Sequence, residues 1–534
     1  MKKWRDIPLP GALRMREALR PGDVQITLFW AAFVGLLAAC VAVAFREVLS
    51  WMHALLWWRT DEFALGAPAW QLVLVPAVGG LLAGLVLHAG RRWTSGRRSR
   101  EYLEVVAIGG DTIPVRPSLV TCGSALFTIA SGGSIGREGV LVQLASMLSS
   151  WVGRFAELAR PRRELLVACG AAAGIASAYN APLAGALFVS EIALASIAME
   201  TLGPLVLASV VATATTRALL GPQPLFEIPT FHLVSVFELV PYALLGVIAG
   251  ALAPLWVRGL RASESAFERL KLPVWACMAL GGLGVGLLAL VNPAVFGNGA
   301  LPIDAILHGR YMYASVALLL VLKLTATALT AGSGAHGGVF TPTLFAGAAV
   351  GFLLGAPLHA LLPAWTGSSG AYALVGMGAF LAAATQAPLV AIVMLVELTL
   401  DYGILLPLML ACVIAYTTAR SLAAPGLYEH RRRAANAIRP ERVRDLMKPR
   451  PLALREDAPF SELVRVFSEH RHNYVYVTDE DGRFLGGVSL HEIKPYLSDQ
   501  ELTRDVLVRD FLHDEFPHVE QDASLSAALE QFRR

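Results

Sequence analysis

Apolar residues dominate the chain from about residue 24 to residue 424, in long stretches separated by short polar, glycine or proline breaks. A helix of about 20 apolar residues is enough to cross a bilayer. Stretches of that kind recur at 24–50, 70–90, 118–151, 164–178, 181–198, 202–220, 235–260, 273–292, 312–331, 338–362, 370–400 and 403–424. Several are short or carry internal glycine and proline, which predicts helices that tilt, re-enter or stop midway. A bilayer tolerates such broken backbone only where protein covers it or it lines a cavity.

Beyond residue 430 the pattern turns charged and mixed. Val443-Arg444-Asp445-Leu446-Met447, Pro459-Phe460-Ser461-Glu462-Leu463, Asn473-Tyr474-Val475-Tyr476-Val477 and Leu485-Gly486-Gly487-Val488-Ser489 predict a small unit of helices and strands. Asp479-Glu480-Asp481-Gly482 is a hairpin signal between two of its strands. A second run of similar type starts at Val506-Leu507-Val508-Arg509-Asp510-Phe511-Leu512.

The membrane region repeats itself. Asn180-Ala181-Pro182-Leu183 matches Gln386-Ala387-Pro388-Leu389, and each is followed at the same distance by a glutamate, Glu191 and Glu397. Upstream, Ser131-Gly132-Gly133-Ser134-Ile135-Gly136-Arg137-Glu138-Gly139 parallels Gly332-Ser333-Gly334-Ala335-His336-Gly337-Gly338-Val339-Phe340. Glycine-interrupted segments at matching places in two halves point to a transport site between them. Close packing of small residues is the plainer explanation, but it does not account for the shared order.

Gly136-Arg137-Glu138-Gly139 places an arginine and a glutamate inside an otherwise apolar run. A charge at mid-bilayer costs about 2.5–3.5 kcal/mol on insertion scales, so such residues mark an ion or proton route by default. The flanking glycines let the helix break and turn bare N–H groups toward an anion. A carboxylate in that place is a plug whose charge follows proton activity. The alternative for Glu138 is a structural ion pair with Arg137.

Composition narrows the class. Only 16% of residues are charged, against roughly a quarter in soluble domains. Residues 1–23 are polar and read as a cytoplasmic segment without a cleavable signal. Arginines 91, 92, 97, 98 and 100, and 431 to 433, flank the apolar runs and place both loops in the cytoplasm; nucleic acid binding is the weaker explanation. The five cysteines and twelve histidines are scattered, with no metal spacing and no nucleophile–base set. An enzyme is not expected, and neither is a cofactor. Lys323, within an apolar run, reads as a snorkelling or repeat-interface lysine, with a pull on anions as the minor alternative.

These motifs resemble those of the CLC chloride channels and transporters. Gly136-Arg137-Glu138-Gly139, Gly337-Gly338-Val339-Phe340-Thr341-Pro342, Cys169-Gly170-Ala171-Ala172-Ala173-Gly174 and Tyr179-Asn180-Ala181-Pro182-Leu183-Ala184-Gly185 all carry the likeness, which spans about 24–430. It implies an all-α polytopic membrane protein, an inverted-repeat bundle of many tilted and broken helices with halves near 24–230 and 235–430. It implies a homodimer in a bacterial inner membrane, both termini cytoplasmic, with one anion pathway per subunit. Glu138 would be the outer gating glutamate. Backbone N–H groups around Gly136, Arg137 and Gly139, and at Val339 and Phe340, would hold chloride, and Tyr428 would coordinate it at the inner gate. Residues 431–534 resemble a cytoplasmic CBS region, with a first copy over about 440–498 and an incomplete second over about 503–534. Paired copies can bind adenine nucleotides; here Glu492 stands where the ribose ligand is usually Asp, and dimer support is the simpler role.

Two departures bear on mechanism. The family's Gly-Ser-Gly-Ile-Pro motif has no clear copy; Ser95 and Ser99 are candidate hydroxyls, and the pattern resembles a proteobacterial subgroup lacking it. Proton-coupled members carry a glutamate directly after the position of Glu191, where this chain has Ile192. The plain inference is passive, channel-like conduction. A chloride/proton antiporter, with Glu191 as a stand-in on the proton route, and a fluoride exporter are the alternatives, and a membrane sensor is the rival from another class.

Overall fold

The computed structural model describes residues 23–57, 66–94, 101–107, 110–194, 198–221, 226, 233–423, 426–429, 443–447, 452–469, 474–493, 496, 506–513, 519–523, 528 and 531. It divides into two compact units, Met1–Asn436 and Ala437–Arg534.

The first unit is helical. Its first half comprises α1 (Asp23–Leu56), α2 (Ala69–Trp93), α3 (Tyr102–Ala107), α4 (Val115–Ala130), α5 (Glu138–Phe155), α6 (Arg160–Tyr179), α7 (Pro182–Phe188) with a π turn (Val189–Leu194), and α8 (Met199–Leu220). The second comprises α9 (Leu239–Arg269), α10 (Val274–Ala289), α11 (Ala300–Leu307), α12 (Tyr313–Gly332), α13 (Phe340–Leu361), α14 (Ser369–Thr385), α15 (Pro388–Thr399) and α16 (Leu405–Ser421). Among the described residues, six helical segments are long and apolar enough to cross a membrane, those containing α1, α2, α8, α9, α12 and α13.

Packing obeys the repeat. α1 lies on α8 as α9 lies on α16, α5 on α6 as α13 on α14, and α6 on α8 as α14 on α16. The two members of one equivalent pair, α2 and α10, pack on each other. Chain geometry repeats as well. Asn180 (φ 59°) and Gln386 (φ 57°) both end their helices in the left-handed region, and Gly132 (φ 96°) and Gly334 (φ 95°) both turn the chain after α4 and α12. Asn tolerates that region better than most residues and glycine enters it freely. A proline at the start of α7 and of α15 then restarts each helix, where its missing N–H costs nothing.

Two sequence expectations change. The run 118–151 is not one span: it stops at Ala130 and resumes at Glu138. The run 370–400 likewise breaks at Gln386. In both, hydropathy continues across a backbone break that only the glycine, Asn/Gln and proline positions reveal.

The second unit holds a three-stranded sheet of order β1 (Ala453–Arg455), β2 (Tyr474–Thr478), β3 (Phe484–Ser489). β1 pairs parallel with β2 and β2 antiparallel with β3. The expected hairpin closes through Asp479, whose N–H donates to Arg483 O at 2.9 Å, with Gly482 at φ 78°. α17 (Val443–Leu446), α18 (Phe460–Glu469) and α19 (Leu490–Ile493) complete it around Phe460, Leu463, Val475, Val477 and Val488. The segment near Val508 joins this core, bridging Pro459 to Leu507 and Gly487 to His513. The Glu492 side chain lies outside the described residues, as do Ser95 and Ser99.

Candidate functional site

The two glycine-rich breaks meet. Gly136 N–H donates to Gly338 O at 2.7 Å and Gly338 N–H donates to Gly136 O at 2.8 Å, an isolated antiparallel bridge between the halves. Gly136 therefore spends its own amide on the partner repeat. The amides beyond it, at the first turn of α5 from Glu138 through Val140, have no partner four residues back and point out of the helix end. Phe340 opens α13 in the equivalent way, after Val339.

Glu138 is the first residue of α5 and is 6% exposed. Its Oε1 accepts a hydrogen bond from the Thr341 hydroxyl, and Oε2 has no hydrogen-bond partner. A Cβ at Gly338 would stand 2.6 Å from that Oε2 and one at Gly136 would overlap it, so both glycines are needed to seat the carboxylate. Arg137 and Glu138 form no hydrogen-bonded ion pair among the described residues.

The carboxylate continues into a hydroxyl relay. Tyr179 OH lies 3.0 Å from Thr341 Oγ1. Since the threonine proton is given to Glu138, the tyrosine must donate to the threonine. Aromatic rings form the next layer: Tyr179 on Phe340 at 5.2 Å between centroids, Phe188 on Phe340 at 6.2 Å, and Phe188 on Tyr428 at 5.7 Å. Glu138, Gly139, Tyr179, Val339, Phe340 and Tyr428 all line one cavity of about 400 Å³. Tyr428 is fixed from the second repeat, because Leu427 N–H donates to Ala384 O at 2.8 Å. Thr341, Tyr179 and Phe188 belong to this site although sequence reasoning assigns them no role; Thr341 and Tyr179 lie inside the same motifs as Phe340 and Asn180, and Phe188 lies three residues past the second of these.

Glu191 lies elsewhere. It is not among the residues lining the cavity. Its carboxylate accepts from the N–H groups of Leu389 (3.3 Å) and Val390 (2.8 Å), at the start of α15. Glu397 does the reciprocal, accepting from Leu183 (3.0 Å) and Ala184 (2.8 Å) at the start of α7. Each repeat thus caps the other's restarted helix with an anion at the positive end of its dipole. Each charge-assisted bond contributes about 1.5–3 kcal/mol, so Glu191→Ala and Glu397→Ala each lower the thermal unfolding midpoint in detergent. The two clasps share α7 and α15, so the double variant should depart from additivity; strictly additive losses would mean independent caps. Ile192, in the place of the family's inner glutamate, is 5% exposed.

Lys323 does not snorkel. It is fully buried, and Nζ donates to the carbonyls of Val295 (2.7 Å), Phe296 (2.9 Å) and Gly297 (2.7 Å). Further along the same face of α12, Thr327 Oγ1 meets Ser134 Oγ at 2.9 Å and Thr330 Oγ1 accepts from Ser134 N–H at 3.1 Å. Gly297 N–H in turn reaches Gly132 O at 3.4 Å. A polar stripe of the second half therefore holds the chain just ahead of Glu138.

Comparison with known proteins agrees with this architecture. The sequence profile described as voltage gated chloride channel matches residues 79–420, and that of the CBS domain matches 443–499. A protein of Ralstonia nicotianae described as chloride channel ClcB-like is 46% identical over 408 residues, 74% of this chain and 94% of that one. The voltage-gated ClC-type chloride channel ClcB of Citrobacter koseri is 39% identical over 417 residues, 75% and 97% of the two chains. Among solved structures, a slow cyanobacterial Cl⁻/H⁺ antiporter superposes with a TM-score of 0.69 at 24% identity, covering 77% of this chain and 98% of that one. A CLC-type fluoride/proton antiporter does so with 0.63 at 23%, covering 76% and 96%. The chain is a member of the CLC voltage gated chloride channel family, with a CBS domain following its membrane bundle.

Proposed function

We propose that the chain conducts chloride passively through the cavity between its repeats, with Glu138 as the gate. The observation that carries this reading is the seat of Glu138. Its carboxylate sits among two glycines, a hydroxyl and open helix ends, the same donors that suit a dehydrated halide, and it forms no salt bridge to an arginine among the described residues. Neutral donors bind an anion and still release it, which fixed charges do poorly. Chloride would then be held by the amides near Arg137, Gly139, Val339 and Phe340, and by the Tyr428 hydroxyl. Gly136 contributes shape through its bridge to Gly338. Protonation removes the charge of Glu138 and frees the seat.

Passive transport is favoured over proton exchange by two features of the inner half. Ile192 carries no proton, and Glu191 is occupied by two amides of α15. The unit is read as one half of a homodimer in a bacterial inner membrane, both termini cytoplasmic. Apolar side chains exposed on α7, α8, α15 and α16, including Leu183, Val210, Leu389 and Leu406, supply a face for the second copy.

The test is the reversal potential of the reconstituted protein under a chloride gradient, with and without a proton gradient. Passive conduction gives the chloride equilibrium potential in both. A potential displaced by the proton gradient means coupled exchange, and one that follows fluoride rather than chloride means a fluoride exporter.

A further inference from the structure

Among the charged residues lining the 400 Å³ cavity, Glu101, Glu138 and Glu264 are acidic and Arg261 alone is Lys or Arg. A passage for anions whose walls carry three carboxylates needs a reason not to repel its cargo. Glu138 is the proposed gate and accepts from Thr341, and Glu101 and Glu264 share the cavity wall with Arg261.

Arg261 comes from the C-terminal part of α9 and is partly buried. Its Nη2 donates to Gly426 O at 3.3 Å, two residues before Tyr428. That bond aims the guanidinium at the segment carrying the Tyr428 hydroxyl and leaves its remaining N–H groups to the cavity. Arg261 forms no ion pair among the described residues, although Glu264 stands one turn further along the same helix. Its charge is therefore not cancelled by a fixed neighbour.

We infer that Arg261 recruits anions at the Tyr428 end of the pathway and offsets the carboxylates that line it. This deepens the chloride-pathway reading and rests on it. A guanidinium is always charged and presents a planar fork of donors. A low-dielectric cleft whose charges favour the counter-ion raises its local concentration by about 10-fold or more, and Arg261 supplies the favourable part of that field against Glu101 and Glu264. Without Arg261 no Lys or Arg remains among the described residues lining the cavity, so its loss makes the local field more repulsive to anions.

The experiment measures chloride flux in vesicles at fixed chloride, with ionic strength raised by an impermeant organic salt. Arg261→Gln should lower flux by about 10-fold at low ionic strength. The deficit should close as salt rises, because the screening length falls from about 10 Å at 0.1 M to about 3 Å at 1 M. Arg261→Lys should keep most of the parent flux, and Arg261→Glu should fall below Arg261→Gln. Each variant is checked for an unchanged unfolding midpoint. Unchanged flux for Arg261→Gln at low salt overturns the inference. So does a loss that is equal at all ionic strengths, which would make Arg261 only a strap on Gly426. In either case a normal pH response through Glu138 leaves the pathway standing, whereas a lost one would remove the pathway itself.

Discussion

Glu138→Gln yields chloride flux that is raised over the parent at neutral pH and no longer changes with pH. Glutamine has nearly the shape of glutamate and can still accept from Thr341, so the seat stays filled by a neutral group. What disappears is the charge that competes with chloride for the same open amides. A competing contribution of only about 1.4 kcal/mol is worth tenfold in rate, which sets the size of the expected rise. Glu138→Ala should act in the same direction and further, because it empties the seat. Flux and pH response unchanged in both variants would remove the gate from Glu138. Thr341→Val gives an independent reading: it removes the hydroxyl holding Oε1 and interrupts the step from Tyr179, and should shift the pH response without abolishing it.

Lys323→Met should produce the largest loss of stability of any single change in the bundle. The ammonium is fully buried and is satisfied by three backbone carbonyls. A buried acceptor left unsatisfied costs about 1–3 kcal/mol, and Val295, Phe296 and Gly297 would all lose their donor. The consequence reaches function through Gly297, Gly132 and Ser134, which position the turn leading to Glu138. Any protein recovered should unfold at markedly lower temperature in detergent and lose its regular pH response. Lys323→Arg tests whether charge alone suffices, because a forked guanidinium fits the three-carbonyl pocket poorly. A Lys323→Met protein with the parent's unfolding midpoint would mean that the carbonyls find other partners.

The architecture was readable because it is written twice. Asn180 and Gln386, Pro182 and Pro388, and the paired glycine runs mark the order of both halves and the breaks that meet at Gly136 and Gly338. Hydropathy was less informative at the breaks, since a run such as 118–151 stays apolar through the turn where the helix stops. The clasps escaped for a different reason. Glu191 and Glu397 were noticed as a matched pair, yet their partners lie about two hundred positions away in the other repeat, and only the folded chain brings an acid to the opposite proline-initiated helix. The same distance hid Thr341 from Glu138 and Arg261 from Tyr428. The neighbours of Lys323 in the sequence fit a snorkelling or a structural lysine alike; the carbonyls that choose between the two belong to a turn nearly thirty residues upstream.

The reciprocal bond pair between Gly136 and Gly338 makes the pocket floor a shared product. Neither duplicate owns a finished seat, so a severed polypeptide offers a simple assay. Fragments ending at Gly221 and beginning at Leu233 should each be inert when produced alone, and co-expression should restore chloride permeability by complementation. An ancestor containing a single copy would have had to work by pairing with an inverted twin.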